Sequence, residues 1–193
     1  AADYTDTLRV GIYYGSDAAE SVTAESAQGF TFGVYSGRNF RPLQTAENTR
    51  ITAERDTADK AGGAADECAW HVRYGECASE DEMRELLTAL SENGIEGFPT
   101  FSDGKLYVWG GSFKNSNDAV WAAENLAVRG IAIKTSEKAV RVTDAASRVL
   151  FVCDDSAAGC GIAAADYENQ NSQIDISGAA GGAYRGGFEF KRL

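Results

Sequence analysis

His71 is the only histidine of the 193-residue chain, and it lies between two of the four cysteines in the stretch ECAWHVRYGEC at 67–77. That grouping raises two chemistries, a metal centre and a thiol activated by imidazole. Zinc takes four nitrogen or sulfur ligands at close spacings such as Cys-x-x-Cys. Here eight residues separate Cys68 from Cys77, and six separate Cys153 from Cys160. An activated thiol must reach its imidazole, but Cys68 and His71 are three apart and point to opposite faces of a strand. The residues therefore predict no metal, no cofactor and no catalytic residue at this stretch. If the run is extended, at about 3.3 Å per residue, Cys68 and Cys77 are also too far apart to pair.

Three further groupings call for the same weighing. GCGIAA at 159–164 matches G-x-G-x-x-A. A dinucleotide fingerprint needs that motif directly after a strand and ahead of a long helix. DDSAA precedes it here and ADYENQNSQ is a poor helix, so a loop is expected. Asp154 and Asp155 are adjacent carboxylates on a turn, where solvation is the ordinary reading. Cys153 and Cys160 flank DDSAAG, short enough to bring them together, which leaves a disulfide between them open.

One constellation points to binding. If Trp70, Val72 and Tyr74 face a core, His71 and Arg73 face the other way. On a later strand Val108 is the core residue, which puts Tyr107 and Trp109 outside. Two aromatics, an arginine and a histidine on an uncovered sheet can stack on sugar rings and bond their hydroxyls. The competing reading packs this face against the flanking β-rich regions.

The elements that would carry these residues follow from the pattern around them. Ser79-Glu80-Asp81-Glu82 offers a capping box, and Met83, Leu86, Leu87 and Leu90 then make one apolar helix stripe, ended by Gly94. A shift of 36 residues brings the unit back. Val72 maps to Val108, Gly75 to Gly111, Leu90 to Leu126, Gly94 to Gly130 and Ile95 to Ile131; Asn115 takes the place of the cap Ser79. Alanines 119, 122 and 123 take the place of the stripe. Between the copies, FPTFSDGKLYVWGG reads as a hairpin turning at Asp103-Gly104. The order predicted for 69–135 is β-α-β-β-α-β, two helices on one face of a four-stranded sheet. To either side the chain reads as β. LRVGIYYG and GFTFGVYSGRNFRPL precede, and KAVRVTD, RVLFVCD, IDISG and YRGGFEFKRL follow. Residues 44–66 are polar and run into AGGAA, a linker.

Composition narrows the function class. With 29 acidic and 18 basic residues the formal net charge is −11, which argues against nucleic acid and anionic polymers, since phosphate binding rests on clustered Lys and Arg. Neutral sugars and protein partners remain. No apolar run approaches the length of a membrane span, so no membrane insertion is expected. The opening AADYTDTLRV has the look of a mature end after cleavage or of a trimmed chain.

WHVRYGECASEDEM…LSENG together with LYVWGGSFKNSNDAVWAAENL resembles a SPOR (sporulation-related repeat) domain. LRVGIYYGS…GFTFGVY and VRVTDAASRVLFVCDD…YRGGFEFKRL resemble the β-rich N-terminal portion of clostridial SpoIID/LytB proteins. The resemblance implies an α+β fold, a ferredoxin-like β-α-β-β-α-β (SPOR-like) module inserted in or flanked by a β-rich domain. Its implied division is a β-rich segment with linker at 1–66, the module at 67–136, and a β-rich segment at 137–193 that pairs with the N-terminal strands. It also implies an extracytoplasmic cell-wall or sporulation protein whose partner is peptidoglycan. SPOR domains bind glycan lacking stem peptides on the open sheet face, which here carries His71, Arg73, Tyr107 and Trp109; Arg73 departs from the Gln often found in the family. SpoIID proteins cleave glycan strands with a glutamate in a Pro-x-Glu-type context further downstream. The prolines of this chain, Pro42 and Pro99, match no such context. The implied role is non-catalytic binding or positioning of glycan strands. A protein-interaction scaffold is the alternative, and a complete enzyme with an unrecognised carboxylate mechanism a further one.

Overall fold

The computed structural model describes residues 21–37, 39–58, 68–169, 172–177 and 183–190; the strand expected at LRVGIYYG lies outside them. Among the described residues the N-terminal part holds β1 (Ser21–Glu25), β2 (Phe30–Ser36), β3 (Asn39–Ala46) and β4 (Arg50–Arg55). The middle holds β5 (Trp70–Cys77), α1 (Glu80–Glu92), β6 (Gly97–Ser102), β7 (Lys105–Phe113), α2 (Ser116–Asn125) and β8 (Ile131–Lys134). The remainder holds β9 (Val140–Asp144), β10 (Val149–Asp154), β11 (Gly159–Ala164), β12 (Gln173–Ile176), β13 (Ala183–Arg185) and β14 (Gly187–Phe190).

Local signals place the helices. Ser79 caps α1 by accepting the Glu82 N–H at 3.2 Å, one of the orphan donors of the first turn, and the Glu82 carboxylate reaches back past the cap to the Ala78 N–H at 2.8 Å. Met83 and Leu90 carry its buried face. Asn115 caps α2 in the same way at Asp118. The alanines at 119, 122 and 123 let α2 lie close on Val72, with Tyr74 and Phe113 beside it. At Asp103-Gly104 both residues have positive φ, 50° and 75°. That is the primed two-residue turn whose twist matches the β6–β7 hairpin.

The expectation of an α+β fold built on a ferredoxin-like module is overturned. The protein is mainly β, with a ten-stranded sheet in the order β13-β12-β1-β4-β9-β10-β6-β7-β5-β8 and a four-stranded sheet in the order β14-β11-β2-β3. The four middle strands are one end of the large sheet. β10 pairs with the outer edge of β6 in parallel, Val152 opposite Thr100, and the sheet runs on through β9, β4 and β1. Two stretches also take a different form from the one expected. Arg50–Arg55, inside the polar run 44–66, is a strand paired on both sides, to β1 and β9. GCGIAA is not a loop but the fully buried strand β11, paired with β2 and β14.

The main core fills the space between the sheets. Phe30, Phe32, Val34 and Leu43 of the small sheet meet Ile51, Ala53, Val142 and Phe151 of the large one, with the Phe32 and Phe151 rings stacked at 6.0 Å. The other face of the large sheet is closed by curvature. Four strands lie between β4 and β5 in the sheet, yet Thr57 and Cys68 form a β-bridge and the Ala69 N–H donates to the Asp56 carbonyl at 3.4 Å. The run β4-β9-β10-β6-β7-β5 thus curls into a ring. Its interior holds Phe98, Tyr107, Trp109 and Val152, with Val149 and Ile133 packed against them.

Candidate functional site

The curl settles the position of the residues that the alternation put on an open sheet face. His71 is 0% exposed, Trp109 1% and Tyr107 8%, so three of the four face the interior of the ring rather than solvent. Arg73 is half-buried, its guanidinium carbon 5.3 Å from the centre of the Tyr107 ring. Alternation separated the two faces correctly, but the face opposite the helices is a second core. A stacked sugar has no access to Trp109.

What the ring encloses is a buried hydrogen-bonded pair, His71 and Asp56. The His71 Nδ1–H donates to the Gly111 carbonyl, which can only accept. Nε2 then stands 2.8 Å from Asp56 Oδ2, with both side chains fully buried. Trp109 and Phe98 flank the imidazole at 5.8 and 5.4 Å between ring centres. Arg141 lies 4.0 Å from Asp56 Oδ1, and it donates to the Thr57 carbonyl at 2.9 Å and to Glu54 at 2.8 Å. These bonds tie the end of β4 to β5 and β9 where the bridge closes the ring. Burial keeps them from substrate, so this is a clamp. Nothing in the sequence around Asp56 marks it; Arg141, set between the apolar Val140 and Val142, is the one signal that a charge turns inward.

Asp154 and Asp155 also serve the fold. Asp154 accepts from the Ser136 hydroxyl and from its N–H at 3.0 Å. Asp155 accepts from the N–H groups of Ala157 and Ala158 at 2.8 Å and of Gly104 at 2.7 Å. Burial pulls the Asp155 carboxyl up, but the N–H groups of Ala158, Gly104 and Ala157 outweigh it and hold it below its ordinary 3.8. Asp144 is alike: burial raises it, and the Arg148 and Ala146 N–H groups and the Arg148 guanidinium win. A carboxyl lowered in the native state stabilises fully above its unfolded value and loses that contribution as pH falls through its native value. Urea midpoints measured from about pH 5 down to pH 2 should therefore fall steeply below about pH 4, and Asp155→Asn should flatten that limb. An unchanged limb would show that these bonds do not set acid stability.

A separate accessible concavity lies between β3 and α1. β3 ends the small sheet, so its outer edge is unpaired among the described strands. Pro42, which lacks an N–H, is tolerated at such an edge, and this is the one sequence signal for it. The cleft holds about 440 Å³. Leu43, Met83 and Leu87 give it apolar walls, while Gln44, Thr45 and Arg84 line it with polar groups. Gln44 Oε1 is buried and makes no hydrogen bond among the described residues. The groove therefore offers an amide, hydroxyls, the Arg84 guanidinium and the Glu80 carboxylate beside an apolar floor, groups that could orient a polar ligand.

The class this architecture defines is a mainly β protein with two facing sheets and a groove at the edge of the smaller one. No family model matches the chain, and neither a curated protein nor a solved structure is significantly similar to it.

Proposed function

We propose that the chain is a non-catalytic segment that binds or positions peptidoglycan glycan strands within an extracytoplasmic cell-wall or sporulation protein of the SpoIID/LytB type. The family part of this reading rests on the resemblance of WHVRYGECASEDEM, LYVWGGSFKNSNDAVWAAENL and YRGGFEF. The observation that carries the binding part is the β3–α1 groove, whose 440 Å³ lies in the range of small-molecule sites and whose walls are mostly uncharged. A glycan strand presents hydroxyls and N-acetyl amides, the groups that Gln44 and Thr45 can bond. A net charge of −11 disfavours strongly anionic wall polymers.

The test is retention of the full chain on purified peptidoglycan, intact and stripped of stem peptides. Retention on the stripped wall, reduced about tenfold by Gln44→Ala combined with Arg84→Ala, is the expected result. Retention of the wild type on neither form sinks the reading, and retention unaffected by the double substitution moves it off the groove. Release of soluble glycan fragments by the chain alone would overturn its non-catalytic part.

A protein-interaction scaffold is the second reading. It is favoured by Trp121, 62% exposed beside the exposed Val120 on the outer side of α2, because large exposed aromatics are enriched at protein interfaces. Binding to a protein complex that Trp121→Ala abolishes, with no retention on the wall, would select it.

A further inference from the structure

Cys153 is the next-to-last residue of β10 and Cys160 the second of β11, so the two belong to different sheets. The turn between them is held by Asp155, whose carboxylate accepts from Ala157, Ala158 and Gly104. That anchoring fixes where the second cysteine emerges. Both side chains are buried in the core between the sheets and both line one small cleft, with Lys138, Val140, Ala158 and Phe190 around them. Both are free thiols in this structure.

We propose that Cys153 and Cys160 form an intramolecular disulfide, through exchange with a low-molecular-weight disulfide, that fastens the small sheet to the large one. One cysteine thiolate attacks a sulfur of oxidised glutathione, forms a mixed disulfide and expels one glutathione thiolate. The second cysteine attacks the protein sulfur of that mixed disulfide and expels the other glutathione. The protein pair loses two electrons and two protons. The electrons reduce the glutathione disulfide, and the protons end on the two glutathione thiols.

The surroundings bear on when this happens. The hydrogen bond with Cys153, then burial, pushes the Cys160 thiol well up. Both thiols are also shut away from solvent, so an oxidant reaches them in the partly folded chain. The competing thiols are placed worse. Cys68 and Cys77 lie at opposite ends of the β5 run, and Cys77 is itself pushed up by burial and by the charges of Glu82 and Glu76. This inference is independent of the ligand of the groove.

The experiment refolds the full chain in a mixture of reduced and oxidised glutathione, and in dithiothreitol alone. Digestion with a protease that cuts before aspartate separates the cysteines, because Asp154 and Asp155 lie between them. The expected result is loss of two of the four thiols, one linked peptide pair joining Cys153 to Cys160, and an unfolding midpoint about 5 °C above that of the reduced protein. Cys153→Ser should lose that rise. Should the variant not fold, peptide mapping of the wild type decides alone. Four free thiols after refolding in the glutathione mixture, or a linkage to Cys68 or Cys77, would overturn the proposal.

Discussion

Trp109→Ala is expected to lower folding stability by about 3–5 kcal/mol, the cost of emptying a large buried aromatic site. Trp109 is 1% exposed and packs with Phe98, Tyr107 and Val152 inside the curled sheet. Its indole N–H makes no hydrogen bond among the described residues, so Trp109→Phe, which keeps most of the volume, should cost much less. Denaturant unfolding of the two variants against the wild type measures this. A wild-type midpoint for the alanine variant would mean that the indole is exposed and that the open-face arrangement expected from the alternation is right after all. The experiment thus asks which face of β7 is dry before any ligand is known.

The second large effect concerns the buried pair. His71→Leu leaves the Asp56 carboxylate in the interior with only Arg141 near it, at 4.0 Å. Asp56→Leu leaves the imidazole with no acceptor at Nε2. Each single substitution should cost about 3–5 kcal/mol, because an uncompensated charge or donor is stranded away from water. The double variant His71→Leu/Asp56→Leu should recover part of that loss, since removing both partners strands neither. A double-mutant cycle on unfolding free energies reads the coupling directly. Additive single effects would show that the pair does not act as a clamp between β4 and β5.

How far the sequence can be read is clear from particular elements. α1 is legible because its signals are local: Ser79, Glu82 and the Met83–Leu90 stripe all lie within four turns. The Asp103-Gly104 turn is legible for the same reason. The 36-residue repeat is informative about elements but not about roles. Gly94 ends α1 with φ of 72°. Its counterpart Gly130 is a close-packing position, where a side chain would strike Val72 and the Arg73 carbonyl. β4 was hidden because ITAER alternates weakly and sits in a polar run, although pairing on both sides makes it a strand. β11 was hidden because glycine and alanine carry little strand preference. Its stability comes from being covered on all sides. The β3–α1 groove joins residues about forty positions apart, and Pro42 alone pointed toward an edge there.

The amino-acid sequence by itself determined the two capped helices, the hairpins, and the opposite directions of Tyr107 and Trp109 against Val108 on β7. Those follow from interactions within one or two turns of chain or from the two-residue period of a strand. Only the tertiary structure decided what lies against each face. The parallel pairing of β10 with β6 extends four strands into ten, and the Thr57–Cys68 bridge curls them until His71 meets Asp56. A period of two records that Trp109 and Val108 point in opposite directions. Which direction is solvent depends on strands far away in sequence, and here both directions are core.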